Sequence, residues 1–132
     1  MSQENVEIVR SLYVGDPSRF FELLDDEVEV VSKSHPLPDH PELIRGKSAV
    51  IDFYRHYWGT WDDDYSLEAA EVTDVGANRI LVVHHETGRG RGSGVPFERR
   101  WVVIYTLVAG KLARVQAFST RQEALEAAGL TE

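Results

Sequence analysis

The sequence predicts an α+β fold, a curved antiparallel sheet wrapped around helices drawn from the N-terminal half of the chain. Three observations carry this. Apolar residues before residue 61 recur at helical spacing, and those after residue 65 fall in four strand-like runs separated by turn residues. The third helical stretch also carries a wide aromatic stripe, the kind of face that lies across a sheet.

Taken in order, Ser2 to Tyr13 places Val6, Val9 and Tyr13 on one stripe with Ile8 and Leu12 beside it, which is a first helix. Gly15 breaks it. Asp16 then caps a short second helix with Pro17 at its first position, and Phe20, Phe21 and Leu24 follow on its apolar side. Val28 to Ser32 is β-branched and reads as a strand that runs into "KSHPLPDHPEL", where three prolines exclude regular structure. Gly46 ends that loop. Lys47 to Trp61 forms the third helix, its stripe made of Val50, Phe53, Tyr54, Tyr57 and Trp58.

Four strands follow, at Tyr65 to Thr73, Arg79 to Thr87, Pro96 to Leu107 and Lys111 to Ser119. Their turns are Asp74 to Asn78, the run "GRGRGSG" and Ala109-Gly110, so successive hairpins build the sheet. Arg121 to Ala128 closes the chain as a last helix stopped by Gly129. No repeat and no linker-like tract divides the 132 residues, so one domain spanning 1–132 is expected.

Composition removes several functions. A net charge of −8 opposes binding to nucleic acid, which needs a surplus of Lys and Arg to displace phosphate counterions. No apolar run reaches membrane-spanning length and the first residues are acidic, so a cytoplasmic protein without a membrane role is expected. The absence of cysteine excludes disulfides, thiolate metal sites and a cysteine nucleophile.

The stretch "HHETGRGRGSG", residues 84–94, is the densest in chemistry. Alternate strand residues face opposite ways, so His84 and His85 point apart and cannot chelate one ion. A phosphate loop needs its glycines between a strand and a helix, and here a second strand follows. The glycines therefore make a hairpin tip with solvated arginines, the competing reading being an anion site. His35, Asp39 and His40 lie in the proline-rich loop, where they are solvated or add polar contacts at a pocket mouth. His56 falls on the polar side of the third helix, and the carboxylates of "WDDDY" make a solvated turn. No metal and no cofactor are expected.

The order of these elements, from "NVEIVRSLY" through "GDPSRFFELLDDEVEVVS" and "IRGKSAVIDFYRHYW" to "GKLARVQAFSTRQEALEAAGL", resembles the SnoaL-like and ketosteroid isomerase-like branch of the nuclear transport factor 2-like superfamily. The resemblance implies a cone-shaped, cystatin-like roll enclosing a pocket, and a hydrophobic, carbonyl-bearing small molecule as the partner. By the family's register, Ile80, Val82, His84 and Glu86 face the pocket, followed by Glu98, Arg100, Val102, Ile104 and Thr106. Trp101, Val103 and Tyr105 would then face outward with Phe118, an apolar surface that implies a homodimer.

The isomerases of this superfamily hold a dienolate oxygen with a tyrosine and a protonated aspartate while a second aspartate moves the proton. Tyr13 is similar in position to the tyrosine, but the base position falls at Ser32 and the second donor at Val102, so steroid isomerisation is not expected. The acidic residue used by the cyclases reads Thr120-Arg121. The remaining catalytic set is His84 as a base oriented by Glu86 or Glu98, Tyr13 as oxyanion donor and Arg100 as anchor. Ser32, Tyr54, Trp58, Val82, Glu98 and Val102 complete the expected ligand-binding wall. Against this stands a domain without catalysis, its pocket filled by Tyr54 and Trp58, that works through its surface.

Overall fold

The computed structural model describes residues 2–32 and 41–130. His35, Asp39 and His40 lie outside the described residues.

Helix α1 (Ser2–Ser11) ends at the turn around Gly15, and Asp16 Oδ1 accepts a hydrogen bond from the Ser18 amide at 2.9 Å to start α2 (Ser18–Glu22). Strand β1 (Leu24–Ser32) follows with the buried alternation Leu24, Val28, Val30. A short strand the sequence reading missed, β2 (Leu43–Arg45), pairs antiparallel with β1 through Val30 and Ile44. With only Ile44 buried in β2, periodicity had almost nothing to register.

Helix α3 (Lys47–Gly59) and strands β3 (Ser66–Gly76), β4 (Arg79–Arg89), β5 (Pro96–Val108) and β6 (Lys111–Phe118) fall where expected, with β3 to β5 extended at their ends. The β3–β4 turn puts Ala77 and Asn78 at φ 57° and 61°, the left-handed pair that a tight hairpin demands. Helix α4 (Arg121–Ala127) is capped by Thr120, whose side chain accepts from the Glu123 amide. Among the described residues no helix is long and apolar enough to cross a membrane.

The strands form one sheet in the order β2-β1-β6-β5-β4-β3. The hairpins are antiparallel, as expected, but β1 lies parallel to β6, because the chain returns to that edge only after crossing the whole sheet.

One face packs on α1, α2 and α3 through Val9, Phe20, Val28, Val50, Ile80, Val82 and Val115. The opposite face carries Leu81, Val102, Ile104 and Phe118, which Ala124 and Leu125 of α4 and its C-cap Ala128 cover. This corrects the expected faces of β5. His84 pairs with Trp101 and Val82 with Val103, and directly paired residues share a face, so Trp101, Val103 and Tyr105 point inward while Glu98, Arg100, Val102, Ile104 and Thr106 point outward.

The cause lies in the hairpin tip. Gly90 donates its amide to the Val95 carbonyl at 3.0 Å, which leaves residues 91–94 as the loop. An even loop pairs even positions of β4 with odd positions of β5, and the expected faces needed an odd one. The apolar dimer surface falls with them, since three of its four residues are inside and Phe118, 3% exposed, lies beneath α4.

Candidate functional site

Between the sheet and α1 to α3 lies a cavity of about 390 Å³. Phe20, Tyr54, Trp58, Trp101, Val103 and Val115 supply most of its apolar wall. The exposed Gly15 and Pro17 also line it, so it opens to solvent beside the α1–α2 turn. Gly15 holds φ 80° there, which lets the chain reverse around the mouth. Among the described residues no Asp, Glu, Lys or Arg lines this cavity.

Two hydrogen-bonded groups supply polar atoms to the wall, which also includes Tyr54 and Ser66. In the first, the Tyr13 hydroxyl lies 2.5 Å from His84 Nε2 and 2.7 Å from the Tyr105 hydroxyl. His84 is 1% exposed and its ring meets the Trp101 indole edge-on at 4.4 Å between centroids. Burial pushes the imidazole down to about 3, so it is neutral at physiological pH and a weak proton acceptor. Burial also raises Tyr13 well above the ordinary phenol value and pushes Tyr105 up to about 12.

The second group surrounds Glu86, which is fully buried two residues along β4 from His84. Its Oε1 accepts from Arg99 Nε at 2.7 Å and from Trp101 Nε1 at 3.2 Å. Its Oε2 accepts from the Tyr57 hydroxyl at 2.7 Å and from the Tyr65 hydroxyl at 2.5 Å. Four donors fill the acceptor capacity of a carboxylate, so Glu86 has no lone pair left to take a proton from a ligand. It organises the wall instead. Tyr57, Tyr65 and Trp101 all line the cavity, and Arg99 lies over the Phe97 ring at 4.4 Å.

The sequence-derived residues thus separate. Tyr13, Tyr54, Trp58 and His84 line the cavity. Val82 is buried in the core between Val72 and Val103. Ser32 is buried in β1, away from the cavity lining, with its amide bonded to the Glu42 carbonyl. Val102 is under α4, and Arg100 is exposed on the outer face. Glu98 belongs to that face as well, where His85 Nε2 is 2.5 Å from its Oε2. The partner of Glu86 is Arg99 rather than Arg100, for the same parity reason. Tyr57, Tyr65, Arg99, Trp101 and Tyr105 were missed as site residues; the three on β5 follow from the even loop of residues 91–94, whose length the glycine-rich sequence does not disclose.

The hairpin arginines are more than half exposed, as expected, and they also tie the tip to its neighbours. Arg91 donates to the Gly59 and Trp61 carbonyls and its amide to the Thr60 carbonyl, closing the C-terminal end of α3. Arg89 pairs with Asp64 at 3.2 Å and Arg91 with Asp63 at 3.4 Å, so the acidic run is the hairpin's counterpart. Gly92 and Gly94, at φ 88° and 69°, turn the tip back so that Arg91 reaches the helix. Arg91→Ala is expected to lower stability by about 1 kcal/mol or less and to speed amide exchange over residues 89–95, read by mass spectrometry.

Comparison with known proteins agrees with this architecture. A model of the SnoaL-like domain family matches residues 7–115. Among solved structures, a candidate SnoaL-like polyketide cyclase from Jannaschia sp. CCS1 superposes with a TM-score of 0.73 at 19% identity, covering 96% of this chain and 92% of the other. An NTF2-like protein from Burkholderia thailandensis E264 gives 0.73 at 21% identity, over 88% and 90%. TerC, co-crystallised with polyporic acid, gives 0.69 at 17% identity, over 96% and 98%. No curated protein matches the chain. At these identities the structures establish a shared fold, and with the family match extending from α1 into β6, the chain belongs to the SnoaL-like domain family.

Proposed function

We propose that the protein binds a small, uncharged, largely apolar molecule that bears a carbonyl group. The observation that carries this is a cavity with no Asp, Glu, Lys or Arg in its lining among the described residues, and with the linked hydroxyls of Tyr13 and Tyr105 beside neutral His84 on one wall. A volume of about 390 Å³ falls within the range of small-molecule pockets, roughly 300–1,000 Å³. An ionised ligand would lose its hydration with no opposite charge to replace it.

The two polar groups support a carbonyl at one end and a hydroxyl at the other. Tyr57 and Tyr65 give their protons to Glu86, and the Tyr57 oxygen also accepts from Arg99 Nη2 at 3.2 Å, so toward the cavity the two oxygens have only their remaining lone pairs to offer. His84 and Glu86 are two residues apart on one face of β4, which separates the groups by roughly 7 Å. Polyporic acid, present with TerC, is in keeping with aromatic ligands in this fold.

The chemistry supported is polarisation of the bound carbonyl by phenolic hydroxyls, which also stabilises negative charge growing on that oxygen, as isomerase and cyclase reactions require. Among the described residues the wall offers no strong base, because His84 is held near 3 and the acceptor positions of Glu86 are filled.

A thermal-shift screen of neutral aromatic ketones, matched hydrocarbons and aromatic carboxylates tests this. Ketones are expected to raise the melting temperature dose-dependently, by the equivalent of about 2.7 kcal/mol at 100 times Kd, and carboxylates to do so far less. Cooperative melting unmoved by every neutral ketone would overturn the proposal.

A further inference from the structure

The direction of the protons along His84, Tyr13 and Tyr105 follows from counting them. A neutral imidazole and two phenols carry one exchangeable proton each, and two hydrogen bonds join them, so one proton is left over. Its place depends on the imidazole tautomer.

With the proton on Nδ1, Tyr13 donates to Nε2, Tyr105 donates to Tyr13, and the leftover donor is Nδ1–H. That nitrogen is fully buried and has no hydrogen-bond partner among the described residues. A buried N–H without an acceptor is costly, and in the backbone it is rarer than an acceptor left short of a donor. With the proton on Nε2, the buried Nδ1 keeps only a lone pair. His84 then donates to the Tyr13 oxygen; where Tyr13 in turn donates to the Tyr105 oxygen, each bond polarises the next and the leftover proton is that of Tyr105, whereas a Tyr13 oxygen accepting from both neighbours would break that chain. Tyr105 lines the cavity, so its proton has a place to go.

We infer that His84 is held as the Nε2–H tautomer at the head of a donor relay through Tyr13, and that Tyr105 presents the hydroxyl that the ligand's carbonyl oxygen accepts. This rests on the reading of the cavity as a carbonyl-binding pocket. Each donor in such a chain polarises the next, which makes the terminal hydroxyl a stronger donor than an isolated phenol. Tyr105 is the specificity-determining residue. His84 is a positioning residue that acts through Tyr13: its ring lines the cavity, but its nitrogens are not offered to the ligand, since the Tyr13 hydroxyl occupies Nε2 and Nδ1 is buried.

Two measurements decide the matter. In the unliganded protein labelled with ¹⁵N-histidine, His84, identified by its loss in His84→Gln, is expected to show a protonated Nε2 and an unprotonated Nδ1 at pH 7; the reverse pattern overturns the relay. In the second, 1-indanone and indane, alike in shape except for the carbonyl, are titrated into the wild type, Tyr105→Phe and Tyr13→Phe, with the carbonyl stretch of bound 1-indanone read in the infrared. The wild type is expected to prefer the ketone about 10-fold, the size of one hydrogen bond, with the stretch moved to lower wavenumber.

Tyr105→Phe is expected to bind both compounds equally and return the stretch toward its value in hydrocarbon. Tyr13→Phe, which removes the relay but leaves the terminal hydroxyl, is expected to keep part of the preference. Loss of the preference in Tyr13→Phe alone would make Tyr13 the terminal donor and overturn the assignment. Failure of both compounds to bind would instead refute the carbonyl pocket and the ligand half of the inference, while the ring nitrogens still decide the relay.

Discussion

Glu86→Ala is expected to lose about 3–5 kcal/mol of folding stability, seen as a fall of roughly 10–20 °C in melting temperature. The size follows from what the carboxylate leaves behind. Arg99 loses its ion-pair partner, and Trp101 Nε1 and the Tyr57 and Tyr65 hydroxyls lose the acceptor they share. Breaking a buried pair from one side costs more than the pair contributes as a whole, because the surviving charge stays desolvated. Arg99 keeps contact with the Phe97 and Trp61 rings, which offsets part of that. Glu86→Gln retains one carbonyl oxygen but places an NH₂ where a second acceptor is needed, so it is expected to fall between wild type and alanine. The same substitutions loosen three residues of the cavity wall, and ligand binding is expected to decline with stability. A Glu86→Ala protein within about 1 kcal/mol of wild type in urea denaturation would mean that water enters and replaces the carboxylate.

The sequence discloses this arrangement unevenly, for physical reasons. Helices announce themselves where one face is dry and the other wet, which is why α1 and α3 were legible from Val6, Val9, Tyr54 and Trp58. The start of β4 gave its faces through the resemblance, and the structure buries Ile80, Val82, His84 and Glu86 toward the helices. In β5 the run Trp101 to Tyr105 is buried on both faces, one against the cavity and one against α4, so alternation disappears where it was needed. Parity then had to come from loop length, and the glycine-rich tip does not reveal which of its residues still pair. One wrong step of parity exchanged Arg99 for Arg100 and hid Tyr105 on the wrong side. The Glu86 hub was invisible for a further reason: its donors come from α3, the segment before β3, and β5, and nothing local marks Tyr57, Tyr65 and Arg99 as neighbours.

Acid is expected to weaken the fold through His84, and the sign can be worked out. In the unfolded chain a histidine titrates near 6.5, while burial holds this one near 3 in the folded protein. Between those values the unfolded chain carries a proton that the folded protein refuses, so the stability contributed by neutral His84 is complete above about 6.5 and declines as pH falls toward 3. The slope approaches about 1.4 kcal/mol per pH unit and amounts to roughly 2 kcal/mol by pH 5, before most carboxylates titrate. Urea denaturation of wild type and His84→Gln at several pH values from 7.5 to 5 measures this, and the other four histidines are common to both proteins and cancel. Wild type is expected to lose the full increment and His84→Gln to show a nearly flat profile. Equal slopes would mean that the ring takes up its proton within the fold, which requires an acceptor or water at the buried Nδ1, and a ring hydrated there is no longer confined to one tautomer. The acid profile and the position of the histidine proton are therefore two readings of one property, the dryness of the wall behind His84.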